Sequence, residues 1–410
     1  MLKQADGSYM KKQFEISKQR IQELITKYGS PLYIYDETVL RKRCNEMMQL
    51  VSYQHFRPNY SAKANTNIEL LKIIKSEGLS VDAMSPGEIV LEQAAGFQSD
   101  EILYISNNVS EEEMQFAVEH QVTVSVDSLS QLETFGGQHP GTRVAFRLNP
   151  GIGAGHNKKV ITGGKSKFGI EMSGISNIKR IAEKYQLRIV GVNQHIGSLF
   201  LDGKEYRKAC ENIFMAAKQF SDLKFVDLGG GFGVPYNGEA RLDLEELSAQ
   251  LDQLIHNFVA SYDNKTIEIK IEPGRYIVAE CGILAGVVNS VKTNYGEKYI
   301  GTDIGFNVLM RPVLYDSYHN IRVYNEAKEQ EKVTVVGNIC ETGDILAKGR
   351  WLPCMTKGDI LTIETVGAYG YSMCSNYNSR LRPAEVLIQC NGQDRLIRRR
   401  DTLEDLLRQM

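Results

Sequence analysis

The sequence predicts an α/β protein: a (β/α)8 barrel of the TIM type, together with a second, β-rich domain. From about residue 56, short β-type runs alternate eight times with longer amphipathic helical patterns over roughly 220 residues. Most of these runs are apolar throughout, as expected for parallel strands that are covered on both faces. A doubly wound open sheet shares this periodicity and is the structural alternative.

The barrel prediction requires that polar or glycine-rich residues follow the strands, because the active sites of such barrels lie at the C-terminal strand ends. The predicted strands are Phe56–Ala62, Leu79–Ala83, Ile102–Ile105, Thr123–Val126, Val144–Leu148, Ile189–Gln194, Phe225–Leu228 and Ile267–Ile271. The helical patterns include Asn67–Glu77, Pro86–Ala95, Glu111–Glu119, Glu205–Phe220 and Leu242–Tyr262. The residues after the strands are Lys63, Ser85, Asn107, Asp127, Arg147 with Asn149, His195 with Ser198, Gly229–Gly231 and Glu272–Arg275. One or two of these could be helix caps, but eight caps would be improbable.

After residue 280 the pattern changes to β-type runs that are separated by turns. These runs are Gly282–Val291, Lys332–Val336, Asp359–Thr365 and Ala384–Ile388, and a helical stretch follows at Thr402–Met410. The early run Leu32–Tyr35 is also strand-like, and we expect it to join this later domain. The sequence therefore predicts a barrel over residues 38–280 and a β-rich domain over residues 281–410 together with residues 1–37.

The composition of the chain excludes several classes of function. The chain has 410 residues, which favours two domains, and a net charge of −2, which argues against strong binding to nucleic acid or anionic membranes. No apolar run approaches the roughly 20 residues that span a bilayer, and Met1–Lys18 has no signal-peptide core. The seven cysteines form no CxxC pair, so we predict a cytoplasmic protein with reduced thiols and without a metal site.

The first chemical candidate is Lys63, in the sequence YSAKAN at the end of the first barrel strand. A lysine at this position could form a Schiff base with pyridoxal phosphate. Taken alone, Lys63 would more simply be a surface lysine that caps the next helix. The motifs downstream favour the cofactor interpretation.

The second candidate is GGGFG at Gly229–Gly233. Val234 stands where a dinucleotide fingerprint needs its third glycine, and the motif comes late in the array, so it is not of the Rossmann type. Without β-carbons, the backbone N–H groups of Gly229, Gly230 and Gly231 could surround a phosphate, at a strand end where many barrels bind one. A tight turn is the simpler alternative.

The third candidate is Glu272-Pro273-Gly274-Arg275, after the eighth strand. A carboxylate here could bind the pyridine nitrogen of the cofactor and make the ring a strong electron sink. Arg275 could bind a phosphate or a substrate carboxylate with its planar guanidinium. An ion pair between Glu272 and Arg275 at the barrel rim is the alternative.

Two further motifs carry reactive side chains. In His195-Ile196-Gly197-Ser198 the imidazole could lie against the cofactor ring and the hydroxyl could reach phosphate oxygens, although a single strand-end histidine is more often structural. Outside the barrel are Cys340–Asp344 (CETGD) and Gly367–Tyr371 (GAYGY). A cysteine next to an acid could donate a proton, whereas position alone would make Cys340 a small buried residue.

With these motifs, the chain resembles the fold-type III pyridoxal phosphate-dependent decarboxylases, and among them the diaminopimelate decarboxylases of lysine biosynthesis. The resemblance extends from Pro31 to about Ile397. The segments that carry it are YSAKAN, HIGS, GGGFG, EPGR, CETGD and the long stretch GAYGYSMCSNYNSRLRPAEVL. Thr342 stands where serine is more usual and Asn338 where proline is, and neither change touches a proposed catalytic atom.

The resemblance implies a role for each candidate. Lys63 carries the cofactor, His195 stacks on its ring, Glu272 pairs with the pyridine nitrogen, and Ser198 with Gly229–Gly231 holds the phosphate. It implies substrate contacts from Arg275, Arg311, Tyr315 and Glu341, contacts to both cofactor and substrate from Tyr369, and a proton from Cys340. It also implies a homodimer in which Cys340 and Glu341 complete the site across the interface.

The implied reaction is decarboxylation of meso-2,6-diaminopimelate to L-lysine and CO2. Diaminopimelate has a second amino-acid group, whose carboxylate suits Arg275 and Arg311 and whose ammonium suits Glu341. A decarboxylase of ornithine, lysine or a polyamine precursor is the main alternative, and an amino-acid racemase or a non-catalytic carrier of the cofactor are others. The Gly151–Gly169 segment, which contains His156, is interpreted as a mobile active-site loop or a plain exposed loop.

Overall fold

The computed structural model describes residues 14–155, 157–408 and 410. His156, residues 1–13 and residue 409, and the predictions that fall on them, lie outside the described residues. The chain divides into two compact units. One comprises Arg43–Pro235 with Ala240–Ile277, and the other comprises the described residues up to Lys42, Tyr236–Glu239 and Val278–Met410.

The secondary structure alternates strands and helices in the first two thirds of the chain and is mainly β in the last third. The strands are β1 (Leu32–Asp36), β2 (Phe56–Ser61), β3 (Ser80–Ala83), β4 (Ile102–Ile105), β5 (Thr123–Val126), β6 (Arg143–Asn149), β7 (Ile170–Glu171), β8 (Arg188–Asn193), β9 (Phe225–Gly230), β10 (Glu268–Glu272), β11 (Gly282–Asn294), β12 (Glu297–Thr302), β13 (Ile321–Val323), β14 (Gln330–Val336), β15 (Ile345–Pro353), β16 (Ile360–Ile363), β17 (Ala384–Ile388) and β18 (Asp394–Arg398). The helices are α1 (Lys18–Tyr28), α2 (Glu37–Met48), α3 (Ile68–Ser76), α4 (Pro86–Ala94), α5 (Glu111–Glu119), α6 (Leu129–Gln138), α7 (Ile175–Tyr185), α8 (Lys204–Ala217), α9 (Leu244–Ser261), α10 (Arg275–Val278), α11 (Arg311–Tyr315) and α12 (Leu403–Leu407).

Eight parallel strands close into a barrel in the first unit. The order is β2-β3-β4-β5-β6-β8-β9-β10, and β10 pairs with β2 to complete the ring. The closure confirms the predicted TIM-type barrel and excludes the open doubly wound sheet. The short strand β7 pairs with the end of β6. Because all eight strands are parallel, their C-terminal ends meet at one rim, where the candidate residues follow them.

Five of the helices around the barrel begin at a residue whose side chain caps them, whereas α7 and α8 begin at glycines without such a cap. The side chains of Asn67, Ser85, Ser110, Ser128 and Asp243 accept hydrogen bonds from backbone N–H groups in the first turns of α3, α4, α5, α6 and α9. Such caps satisfy N–H groups that have no partner within the helix. Ser85, one of the eight strand-end positions, is therefore a helix cap.

The second unit is built on a mixed sheet with the order β15-β14-β12-β11-β1-β17-β18, and β16 pairs with both β11 and β13. Strand β1 lies between β11, to which it is antiparallel, and β17, to which it is parallel. This is the pairing expected for the early strand-like run. The helix predicted at Thr402–Met410 is the shorter α12. Among the described residues, no helix is both long and apolar enough to cross a membrane.

Candidate active site

Lys63 lies in a single 3₁₀ turn, Ala62–Ala64, directly after β2. It is half-buried, and its Nζ lies 4.0 Å from Sδ of Met84. It does not cap the next helix, because Asn67 does. Burial raises the pKa of buried Asp82 and half-buried Glu88, the positive charge of Lys63 opposes this rise, and the same charge opposes protonation of His195. The lysine therefore lies among acids at the barrel rim.

The His195 imidazole is held as a neutral ring. Its Nδ1 accepts a hydrogen bond from the N–H of Gly230 at 3.2 Å, so the ring proton lies on Nε2. Burial, together with the charges of Lys63 and Arg147, lowers the pKa of His195 well below its ordinary value. The Glu272 Oε2 atom lies 3.9 Å from Nδ1, but this is not an ion pair because the imidazole is uncharged.

Glu272 ends β10 with only 3% of its surface exposed. Burial raises its pKa well above the ordinary value, and Asp227 and Asp82 raise it further, while Lys63 and Arg147 lower it. Its Oε1 atom is buried and receives no hydrogen bond from an N–H or hydroxyl group of the described residues, although the Glu272 carboxyl hydrogen-bonds to that of Asp227. A buried carboxyl oxygen without a donor is costly, so a ligand N–H is what this position fits.

The three glycines after β9 are required by close packing. A β-carbon on Gly229 would lie 2.0 Å from the carbonyl oxygen of Gln194, and one on Gly230 would lie 1.9 Å from that of Glu272. Gly229 and Gly231 also have φ angles of 74° and 110°, which favour glycine.

Two of the three backbone N–H groups in this turn already have protein acceptors. Gly229 donates to Oδ1 of Asp227 at 2.9 Å, and Gly230 donates to His195. The expected cradle of N–H groups around a phosphate is therefore reduced in this structure, because the protein itself uses these donors. Because these three residues are glycines, no β-carbon projects from this turn at the barrel rim.

Arg275 and Ser198 come together at the same rim. Arg275 begins α10 just after β10, is 5% exposed, and donates to the Ser198 hydroxyl from Nε at 3.3 Å and from Nη2 at 2.9 Å. Pro273 and Gly274 connect β10 to this arginine, and a β-carbon on Gly274 would lie 2.9 Å from Cβ of Ser61. A guanidinium and a hydroxyl side by side suit an anionic group.

Sequence reasoning missed two acids inside the barrel. The Asp82 carboxylate accepts from the Ser61 hydroxyl at 2.8 Å, and burial raises the pKa of Asp82 to about 7. Burial raises the pKa of Asp227 to about 6. A signal was available, because each is the only charged residue in its short strand, β3 or β9, between apolar neighbours. Strands of a closed barrel bury such residues against one another.

In the second unit, Arg311 and Tyr315 are the first and last residues of α11. Arg311 is 2% exposed and donates to Nε2 of His319 and to the Ser317 hydroxyl, both at 3.2 Å. Its guanidinium lies over the ring of Tyr236 at 5.2 Å. His319 was not singled out by the sequence, and it helps to fix the direction of this guanidinium. Tyr315 is half-buried.

Cys340 and Glu341 lie on the turn between β14 and β15. Both are exposed, so the interpretation of Cys340 as a small buried residue is wrong. The backbone N–H of Cys340 donates to Oδ1 of Asn378 at 2.7 Å, and the Tyr377 hydroxyl donates to Glu341. The side chains of Cys340 and Glu341 are therefore exposed at the surface, while a hydrogen bond fixes the backbone of the turn.

Tyr369 follows β16 and is half-buried. Its φ angle is 55°, in the left-handed region that a bulky residue rarely adopts. Such strain persists where the surroundings dictate the position of a side chain, as they do at many functional sites. Within the described part of the chain, no group of His, Cys, Asp and Glu side chains could hold a metal ion.

Residues 37–279 match the family model described as "Pyridoxal-dependent decarboxylase, pyridoxal binding domain". The barrel with its rim of Lys63, His195 and Glu272 is thus that of a pyridoxal-dependent decarboxylase. Two similar relatives are both named diaminopimelate decarboxylase. One, from Methanothermobacter thermautotrophicus, is 41% identical over 94% of this chain and 92% of the relative. The other, from Escherichia coli K12, is 34% identical over 96% of each chain.

A solved structure extends the similarity. The crystal structure of diaminopimelate decarboxylase from Helicobacter pylori, complexed with L-lysine, has a TM-score of 0.88 and 32% identity, and the match covers 95% of this chain and 98% of that one. The chain belongs to the diaminopimelate decarboxylase family.

Proposed function

We propose that this protein decarboxylates meso-2,6-diaminopimelate to L-lysine and CO2, using pyridoxal phosphate. The observation that carries the proposal is the similarity to diaminopimelate decarboxylases over 92–96% of both chains, in a protein whose barrel rim brings Lys63, His195 and Glu272 together. The relatives are named for diaminopimelate, and the side chains assigned below suit this substrate.

The rim residues fit the cofactor because Glu272 presents a buried carboxyl oxygen that has no donor among the described residues. Lys63 would hold the cofactor through Nζ, Glu272 would accept a hydrogen bond from the ring nitrogen, and His195 would lie against the ring. The phosphate would be held by Ser198, Arg275 and the turn Gly229–Gly231, in which Gly229 and Gly230 would have to exchange their present acceptors for it, while Pro273 and Gly274 would line the cofactor site. When bound, pyridoxal phosphate supplies an electron sink for the electron pair that the departing carboxylate leaves behind.

The protonation states of Glu272 and His195 at the rim suit this chemistry. Burial raises the pKa of Glu272 well above its ordinary value despite the charges of Lys63 and Arg147, and a positively charged ring nitrogen beside it would favour its ionised form. His195 adds no positive charge, because its imidazole stays neutral. The rim can therefore orient a charged ligand without a competing cation on the histidine.

We assign substrate binding to Arg275 of the first unit and to Arg311, Tyr315, Glu341 and Tyr369 of the second unit. We assign proton donation to Cys340, also of the second unit. The assignment of Cys340 and Glu341 is supported by their exposure on a turn whose backbone is hydrogen-bonded, because a second protein molecule can contact them there.

We further propose a homodimer in which Cys340 and Glu341 of one subunit complete the site of the other. In this proposal, residues 38–280 form the cofactor-binding domain, and residues 281–410 with 1–37 contribute to the substrate site and the interface. A cytoplasmic location agrees with the seven free thiols of the chain.

The decisive experiment measures CO2 release from meso-diaminopimelate by the purified protein with pyridoxal phosphate. The assay includes Lys63→Ala and a matched control, Lys72→Ala, which changes an exposed lysine on α3. We expect release that needs Lys63, tolerates the control, and is selective over ornithine and lysine. Equal release from ornithine would contradict the substrate assignment, and racemised lysine without CO2 would contradict the reaction.

A further inference from the structure

The side chain of Asn149, at the end of β6, forms hydrogen bonds with both ends of the Gly151–Gly169 loop. Its Nδ2 donates to the carbonyl oxygens of Gly164 and Phe168, both at 2.8 Å. Its Oδ1 accepts from the N–H groups of Gly151 at 3.0 Å and Gly164 at 2.9 Å. Four hydrogen bonds use the full capacity of one buried side-chain amide. The side chain of Asn149 therefore helps to close the neck of the loop, together with the pairing of β6 and β7.

The loop in turn contacts the backbone that carries His195. The Thr162 hydroxyl donates to the His195 carbonyl oxygen at 2.7 Å. The Ile196 carbonyl oxygen accepts from the N–H groups of Ala154 at 3.0 Å and Thr162 at 3.2 Å. The approach is so close that a β-carbon on Gly197 would lie 1.9 Å from the Ala154 carbonyl oxygen.

We propose that Asn149 and Thr162 are positioning residues for the His195 imidazole. The ring is held at Nδ1 by the Gly230 N–H, and the backbone carbonyl of the same residue is held by the Thr162 hydroxyl. Loss of the Thr162 hydroxyl would leave the His195 carbonyl without this bond, so the direction of the ring would change although the neighbouring bonds to Ile196 remain. The inference rests on the proposed function insofar as His195 acts against the bound cofactor.

The sharpest test compares two changes at one position. Thr162→Val removes the hydroxyl and keeps the side-chain shape, whereas Thr162→Ser keeps the hydroxyl. The readouts, made on the holoenzyme, are the ¹⁵N NMR signals of the His195 imidazole, assigned with His195→Gln, the melting temperature, and kcat and KM.

We expect Thr162→Val to shift the His195 signals and to lower kcat about tenfold with little change in KM, because misorientation of a reacting group slows chemistry more than binding. Thr162→Ser should restore both properties. Asn149→Ala should change them in the same direction, and it replaces Thr162→Val if that variant does not fold.

The proposal is overturned if folded Thr162→Val retains the parental His195 signals, or if Thr162→Ser is as impaired as Thr162→Val. An enzyme that releases no CO2 from diaminopimelate would refute the proposed function instead. The NMR comparison would then still decide whether these residues orient the ring, since it needs no substrate.

Discussion

The N–H of Gly230 donates to Nδ1 of His195 at 3.2 Å, and this contact determines which nitrogen of the imidazole carries the proton. With Nδ1 as an acceptor, the ring is the neutral Nε2–H tautomer, in agreement with the lowered pKa. The flat face of an uncharged ring can lie against an aromatic cofactor without repelling a protonated ring nitrogen. The turn Gly229–Gly231 thus contributes to the site by fixing the tautomer of the His195 side chain.

Glu272→Gln should abolish most of the turnover. Glutamine keeps the shape of the side chain but cannot carry the negative charge that stabilises a protonated ring nitrogen, so we expect kcat to fall about 100-fold or more. Steady-state kinetics on the folded holoenzyme measure the change. The matched control is Glu92→Gln, because burial already raises the pKa of Glu92 to about 10 and keeps it neutral. Comparable losses in the two variants would argue against the assigned role.

Asp82 makes the stability of the cofactor-free protein depend on pH. Its folded-state pKa of about 7 lies above the ordinary 3.8, so the folded state retains a proton that the unfolded state releases. The stability gained is present below about pH 4 and is lost as pH rises to about 7. We expect Asp82→Asn to reduce this loss by on the order of 3 kcal/mol, as read from urea unfolding at pH 4.5 and pH 7.5. Asp100→Asn, which changes an exposed aspartate, is the matched control.

Arg311→Lys should weaken recognition of diaminopimelate. The guanidinium is oriented by His319 and Ser317, and a lysine ammonium cannot reproduce its planar, forked geometry. We expect KM to rise about tenfold, with the affinity for pyridoxal phosphate unchanged. A fluorescence titration with the cofactor and steady-state kinetics separate the two effects. A loss of cofactor binding equal to the loss of substrate binding would count against this role.

Cys340→Ser should slow the reaction without loss of stability, since the side chain is exposed. A hydroxyl is a poorer proton donor than a thiol, so we expect kcat to fall about 100-fold. Cys390→Ser, which changes another exposed cysteine, is the control and should retain full activity. Melting curves would show whether the fold is intact, and unchanged kcat in Cys340→Ser would exclude the cysteine as the donor.

A mixture of inactive subunits tests the shared site. If Cys340 acts across a dimer interface, Lys63→Ala and Cys340→Ala subunits can form a mixed dimer that contains one complete site. Exchange of equal amounts should then restore about a quarter of the native activity, because half of the dimers are mixed and each has one of two sites intact. Activity that stays at the level of the separate variants after proven exchange would refute the shared site.

The sequence by itself determined the barrel and the residues at its rim. Apolar runs such as Ile102–Ile105 match β4 without any shift in their bounds, because a strand covered on both faces requires an uninterrupted apolar segment. The position of Lys63, His195 and Glu272 after their strands followed from the same pattern. Parallel strands bring such positions to one rim whatever lies between them in the sequence.

Only the tertiary structure decided the states of these side chains. The neutral form of His195, the donor-free oxygen of Glu272 and the raised pKa of Asp82 depend on burial and on partners far away in the chain. The exposure of Cys340 likewise depends on a turn held by Asn378, 38 residues further along the chain. Local sequence specifies which segments become strands, whereas desolvation and hydrogen bonding at a site arise only when distant segments meet.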